Sequence, residues 1–273
     1  MTVRRARLDS ELVRRGLARS REHAAELIAA GRVTADGRAA TKPATGVTIA
    51  SPIVVRESEQ PDENWASRGA HKLIGALDAF AIDVTGRRCL DAGASTGGFT
   101  DVLLRRGAQE VVAVDVGYGQ LIWRLQNDPR VVVVDRTNVR TLTPEVVGDP
   151  VGLVVADLSF ISLRLVLPAL VACAAEDADL VPMVKPQFEV GRERLGAGGV
   201  VRDRTLRADA VAEVAAAADL LGWGVAGVVA SPLPGPSGNV EFFLHLRRDA
   251  RAGEPGRAYV RQLIDRAVEE GPE

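Results

Sequence analysis

The segment Asp91-Ala-Gly-Ala-Ser-Thr-Gly-Gly-Phe-Thr-Asp101 is the first place in the chain where residue types and spacing could do chemistry. Gly93, Gly97 and Gly98 let a backbone turn come close to a ligand, and the residues behind them read as the start of a helix. Asp115 follows Gly93 by 22 residues and closes the next apolar run, where a carboxylate can accept hydrogen bonds from ribose hydroxyls. Asp135 closes the run after that and suits an adenine amino group. Taken alone, a Gly-x-x-x-Gly-Gly turn is weak evidence, because dinucleotide enzymes use a related turn to hold a pyrophosphate.

The elements that must position these residues follow from the runs themselves. Arg88–Asp91, Glu110–Asp115, Val131–Asp135, Val151–Asp157 and Asp179–Lys185 are short and mostly apolar, and helical stretches separate them. Such alternation predicts an α/β domain with a parallel sheet and helices on both faces, binding ligands at the carboxyl ends of the strands. A helix is predicted over 208–221 and another over 259–268, the second without assigned chemistry. Gly196-Ala-Gly-Gly199 reads as a loop beside the site, either mobile or inert. His71 and His245 read as structural, since neither has an evident acidic or metal-ligand neighbour, and no metal site is expected.

The first 60 residues are organised differently. Leu8, Leu12 and Val13 have helical spacing up to Gly16, and a second helix runs from Ser20, as N-cap, to Gly31. Short strands are expected after it, with Asp36-Gly37 as a hairpin turn. Eleven basic side chains face seven acidic ones in residues 1–60, a surplus of four, so residues 61–273 carry −6 within a net charge of −2. A basic head on an acidic body suits a polyanionic partner, or simply a solvated arginine-rich face. Residues 57–66 have linker composition. Trp65, at the end of that stretch, is expected to dock on a neighbouring domain or stack on a base.

Composition narrows the classes further. A chain that is 47% hydrophobic and 26% charged is globular rather than disordered. No apolar stretch nears the ~18 residues of a membrane span. Cys89 and Cys173 form neither a disulfide framework nor zinc-ligand spacing, and the N-terminus lacks a signal peptide's apolar core, so a cytoplasmic location is expected.

Arg7-Leu-Asp, Gly16-Leu, Ser20-Arg21, Ala25, Gly31-x-Val33, Gly37 and Lys42-Pro43 together resemble an S4 RNA-binding domain over about the first 55 residues. Ala35 departs from the pattern where a β-branched strand residue is more usual. Such domains set a helix pair and a loop against folded RNA, and the resemblance makes Arg4, Arg5, Arg7, Ser20, Arg21 and Lys42 the contact candidates.

The glycine turn with Asp115, Asp135 and Asp157 resembles that of the SAM methyltransferases, with Asp91, Gly93, Ser95, Gly97, Gly98, Phe99, Asp115, Asp135 and Asp157 as implied cofactor contacts. Asp157-Leu-Ser-Phe is not the segment of amino-directed DNA methyltransferases, and the cytosine-C5 Pro-Cys nucleophile is absent. Instead Lys72, Asp157, Lys185 and Glu241 match the Lys-Asp-Lys-Glu tetrad of FtsJ-like ribose 2′-O-methyltransferases. Four typed positions in the right order are more specific than one glycine motif. The order of S4 head, linker and FtsJ-like body, over about residues 4–247, resembles the TlyA family of rRNA 2′-O-methyltransferases, also described as haemolysins.

The resemblance implies a Rossmann-like methyltransferase fold, a mostly parallel seven-stranded sheet with helices on both faces, preceded by a small α+β S4-like domain. The implied boundaries are 1–60 for the S4-like domain, 61–67 for the linker, 68–250 for the methyltransferase domain and 251–273 for a C-terminal helix or tail. It further implies SAM as cofactor and ribosomal RNA or ribosomal subunits as partner, with cytidine 2′-hydroxyls methylated in the small subunit and the large subunit a second candidate. No membrane or protein partner is implied. A ribose hydroxyl is a poor nucleophile, so Lys185 is the expected base or charge stabiliser, with Asp157 and Glu241 chiefly orienting it. The competing readings are an assembly factor that binds RNA with weak or no transfer, a membrane-active haemolysin, and a small-molecule O-methyltransferase that leaves the basic head unexplained.

Overall fold

The computed structural model describes residues 6–18, 21–49, 51–55, 65–235, 237–250 and 254–272. The chain divides into two compact units, 1–64 and Trp65–Glu273.

In the first unit β1 (Ala6–Arg7) leads into α1 (Leu8–Arg14), and α2 (Arg21–Ala29) packs on α1 through Leu8, Leu12, Ala24, Leu27 and Ile28. Gly16 and Gly31 follow the two helices with positive φ, as helix-stopping glycines do. β2 (Val33–Ala35) and β3 (Arg38–Ala39) form a hairpin whose two turn residues, Asp36 and Gly37, both have positive φ. β4 (Gly46–Val47) pairs with β1, and β5 (Ile53–Val55) pairs with β2, both antiparallel. The strand at Ile53–Val55 was not among the sequence expectations; its three β-branched residues follow Pro52 without alternation.

The second unit begins with α3 (Gly69–Ala79) and continues through β6 (Arg88–Ala92), α4 (Gly98–Arg105), β7 (Glu110–Val114), α5 (Trp123–Gln126), β8 (Val131–Val134), α6 (Pro144–Val147), β9 (Val151–Ala156) and α7 (Leu167–Cys173). It closes with β10 (Ala174–Val184), α8 (Pro186–Glu189), α9 (Arg204–Leu220), β11 (Gly224–Ala230), β12 (Phe242–Arg247) and α10 (Glu254–Glu270). The strand order is β11-β12-β10-β9-β6-β7-β8, with parallel pairing from β10 through β8 and β12 antiparallel to both neighbours.

Alternate residues of the strands feed two cores. Cys89, Val111, Ala113, Leu153, Val155, Met183 and Phe243 pack with α3 and α4. Leu90, Val112, Val154, Leu180, Phe242 and Leu244 pack with α7, α9 and α10. A sheet covered on both faces explains why its strands read as unbroken apolar runs. β10 starts at Ala174, earlier than the expected Asp179, and β11 was not expected at all. Acidic Glu176-Asp177 and the glycines and alanines of Gly224–Ala230 hide strand propensity in both.

Trp65 packs against the α3 and α4 core, and the Arg105 guanidinium lies over its ring at 4.1 Å. The premise for His245 is corrected, since its Nε2 lies 2.7 Å from Asp179 Oδ1, an acidic partner 66 residues away that pairing of β10 with β12 brings into reach. Arg87 also donates to Asp179, so His245 is part of a polar cluster around the buried Asp179.

Candidate active site

The strand order reverses between β6 and β9, and this switch point opens the crevice expected of a doubly wound sheet. The two strand ends are locked together, since Asp157 N–H donates to Ala92 O at 3.0 Å. Gly93, with φ 89°, lies so close that a Cβ would meet Asp157 O at 2.5 Å. Gly97 caps α4 in the left-handed region, and a Cβ there would strike Leu121 and Leu125. Gly98 faces the Ser67 hydroxyl, which likewise leaves no room for a side chain.

Behind the turn, Asp91 is fully buried and accepts from Thr100 Oγ1 at 2.6 Å through Oδ2, while its Oδ1 has no hydrogen-bond partner. Burial, with Asp157 and Asp115 adding repulsion, pushes its carboxyl up to about 7, against hydrogen bonding from Thr100. Asp115 accepts from Ser95 N–H at 2.8 Å and Gly117 N–H at 2.7 Å, so it shapes both loops around it. Asp135 accepts from Gly119 N–H at 2.9 Å.

A cleft of about 300 Å³ brings together Lys72, Gly93, Ser95, Gly98, Phe99, Asp157 and Lys185, with Ser67, Arg68, Gly69, Ala94, Thr96 and Ser159 completing its wall. Asp91, Gly97, Asp115, Asp135 and Glu241 stand behind or beside this wall rather than on it. Lys185, directly after β10, places Nζ 2.6 Å from Asp157 Oδ1 and donates to Ser159 Oγ at 3.0 Å. Lys72 Nζ donates to Glu241 Oε2 at 2.5 Å, and both side chains are buried. The four tetrad positions thus form two ion pairs. This corrects the expectation that Glu241 orients Lys185: Glu241 precedes β12, where Lys72 of α3 reaches it first.

Two further residues were not legible in the sequence. Glu189, in α8, accepts from Ser162 Oγ at 2.5 Å and Leu163 N–H at 2.7 Å, tying the loop after Asp157 to the helix after Lys185. Phe160 is 91% exposed, has φ 64° and lies beside Phe188, the rings tilted by 48° with centroids 5.2 Å apart. A bulky residue with positive φ and an exposed ring thus directly follows Ser159 of the cleft wall. Only its aromatic type was visible beforehand; its backbone and exposure were not.

In the first unit, Arg7 and Arg21 both reach Asp9, at 2.7 and 3.1 Å, and keep half or more of their side chains exposed. Lys42 is exposed. Arg4, Arg5 and Ser20 lie outside the described residues.

Comparison with known proteins bears on this arrangement. Residues 65–248 match the FtsJ-like methyltransferase family model and residues 6–51 the S4 domain model. A Mycobacterium tuberculosis protein named 16S/23S rRNA (cytidine-2′-O)-methyltransferase TlyA is 64% identical over 99% of this chain and 100% of its own. The chain belongs to the TlyA family of FtsJ-like methyltransferases. Within that family, "Hemolysin A" of Brachyspira hyodysenteriae is 35% identical over 88% of this chain and 98% of its own length. A solved Streptococcus thermophilus protein described as a candidate hemolysin superposes with a TM-score of 0.75, at 35% identity and 98% coverage of both chains. Among the described residues, no helix is long and apolar enough to cross a membrane.

Proposed function

We propose that this TlyA-family enzyme transfers the methyl group of SAM to the 2′-hydroxyl of a cytidine in ribosomal RNA, in the small subunit and also in the large. The observation that carries the reading is the pairing of Lys185 with Asp157, at 2.6 Å, on the wall that the glycine turn also forms. The names of two relatives support the substrate, the M. tuberculosis protein above and a Campylobacter jejuni 23S rRNA (cytidine-2′-O)-methyltransferase 34% identical over 67% of this chain. A ribosomal substrate puts the enzyme in the cytoplasm.

The residues present fit SAM. Asp91 Oδ1 is a buried acceptor with no donor, so it can answer a cationic ligand, while Gly93, Gly97 and Gly98 keep the turn free of side chains. Ser95 and Phe99 line the same wall, and Asp115 and Asp135 would take the ribose hydroxyls and adenine amino group. When bound, the cofactor supplies an electrophilic methyl on a sulfonium. Lys185 acts on the attacking oxygen, as base when neutral or as a charge partner when protonated. Asp157 and Ser159 hold its amine in place, and Glu241 holds Lys72, which lines the same cleft. Arg7, Arg21 and Lys42, with Arg4, Arg5 and Ser20, serve RNA binding by the S4 domain.

Incubating purified 30S and 50S subunits with labelled SAM, then mapping 2′-O-methyl positions, tests the reading. Label at a cytidine ribose supports it; no label on either subunit, despite SAM binding, overturns it in favour of the assembly-factor reading. The haemolysin names motivate one parallel assay. Lysis of red cells by both the wild type and a Lys185→Ala/Asp157→Ala variant would give the chain a membrane activity separate from this cleft.

A further inference from the structure

A second cavity, of about 400 Å³, opens where the chain enters α9, lined by Val200, Arg202, Arg204, Arg207, Ser237 and Gly238. Three arginines in one pocket raise the question of what balances them. Arg207 is buried, and its Nε donates to Val201 O at 2.8 Å. Among the described residues neither Arg202 nor Arg207 forms an ion pair with a carboxylate. The one acid within the segment, Asp203, is committed through Oδ1 to the N–H groups of Thr205, at 2.7 Å, and Leu206, at 3.4 Å, as the cap of α9. Burial, and then the neighbouring charge of Arg204, holds the Arg207 guanidinium below its ordinary range. Positive charge gathered in a concave place, with the partly desolvated Arg207 and its neighbour Arg202 both outside any ion pair among the described residues, is an anion-binding arrangement, and the planar fork of arginine suits phosphate oxygens.

The pocket belongs to the reactive edge of the sheet. Asn239 accepts from Val201 N–H at 2.9 Å and donates to Gly199 O at 3.0 Å, which pins the Gly196–Gly199 loop to the segment leading into β12. Two residues later Glu241 holds Lys72. The start of β12 pairs with the end of β10, Phe242 opposite Val184, immediately before Lys185. One short stretch of chain therefore carries both a wall of the arginine pocket and a member of the catalytic tetrad.

We propose that the pocket of Arg202, Arg204 and Arg207 binds a backbone phosphate of the RNA substrate close to the nucleotide being methylated. The inference rests on the reading of the chain as an RNA methyltransferase and adds a contact in the methyltransferase unit itself. A phosphate held here fixes the strand that enters the cleft and carries no sequence information, so it positions rather than selects. The loop 196–203, left open as mobile or inert by its sequence, becomes the support of that subsite.

The test is the salt dependence of binding to purified 30S and 50S subunits by the full chain, between about 50 and 200 mM KCl. Each phosphate contact with single-stranded nucleic acid contributes about 0.7 to the slope of log K against log salt. Arg202→Gln/Arg204→Gln changes exposed side chains and is expected to weaken binding about tenfold and lower the slope by about 0.7, with SAM affinity kept. Arg207→Lys, which keeps charge and loses the fork, should weaken binding in the same direction, with a thermal melt reporting its fold. Arg130→Gln, at the opposite edge of the sheet, should leave the slope unchanged. Wild-type slope and affinity in the double variant would overturn the inference while leaving methyl transfer by the wild type intact. Failure of the wild type to bind or methylate either subunit would instead overturn the functional reading, and this one with it. Saturable binding of inorganic phosphate at constant ionic strength, with an unchanged RNA slope in the variants, would assign the pocket to a free anion and also overturn it.

Discussion

Lys72 Nζ and Glu241 Oε2 are 2.5 Å apart although 169 residues separate them in the chain, and both side chains are nearly removed from water. Removing one partner leaves an uncompensated buried charge, which costs about 3–5 kcal/mol. Lys72→Met and Glu241→Leu should each lower thermal stability strongly, and the double variant should recover most of the loss. Methyl transfer should stay abolished in all three, since the pair also lines or backs the cleft. Melts and labelled transfer on the same preparations check this; full activity in the double variant would make the pair purely structural.

On the proposed reading, Asp91 would give the cofactor site a pH dependence. Its carboxyl, pushed from 3.8 to about 7 by burial, binds a proton more tightly in the folded chain than in the unfolded one. Stability without cofactor should therefore fall as pH rises from about 4 to about 7 and level off above that. A cationic ligand favours the ionised form, so SAM binding at pH 6 should release a proton and tighten towards pH 8. Calorimetry in buffers of different ionisation enthalpy reads the proton. Asp91→Asn should be at least as stable as wild type at pH 8, bind SAM about tenfold more weakly and lose the proton release.

Gly93 is where the turn touches the strand end that carries Asp157. With φ 89° and a Cβ position 2.5 Å from Asp157 O, Gly93→Ala must displace either the turn or Asp157. SAM binding should drop by an order of magnitude or more while RNA binding persists. Equal SAM affinity in calorimetry would show that the turn does not contact the cofactor.

The open ring of Phe160 is suited to stacking on a nucleobase brought to the cleft, and such stacking is worth ~1–3 kcal/mol by alanine substitution. Phe160→Ala should reduce kcat/KM for the RNA by roughly 5- to 150-fold. SAM affinity and the melting temperature should change little, because the side chain is 91% exposed. Unchanged kinetics on ribosomal subunits would remove Phe160 from the substrate site.

Much of this arrangement was readable because its physics is local. Mostly apolar runs leading to Asp91, Asp115, Asp135 and Asp157 follow from a sheet buried on both faces, and the glycines of the turn from a backbone that leaves no space for Cβ. What escaped depends on contacts between distant segments. Which carboxylate meets which lysine is decided by Lys72 of α3 reaching the residue just before β12, so Glu241 goes to Lys72 rather than Lys185. His245 finds Asp179 only through strand pairing, and Glu189 finds Ser162 only because α8 meets the loop after Asp157. β11 escaped for another reason: its glycines and alanines have weak strand propensity, and pairing with β12 overrides it.

The central claim, that Lys185 acts on the oxygen being methylated, is tested most directly by single-turnover methyl transfer to ribosomal subunits with SAM affinity measured in parallel. Lys185→Ala is predicted to slow transfer by ~10²–10⁴-fold with SAM affinity within about twofold of wild type. Lys185→Arg, which keeps the charge and cannot accept a proton, distinguishes stabiliser from base by the activity it retains. Near-normal transfer by Lys185→Ala, with SAM bound normally, would contradict the account.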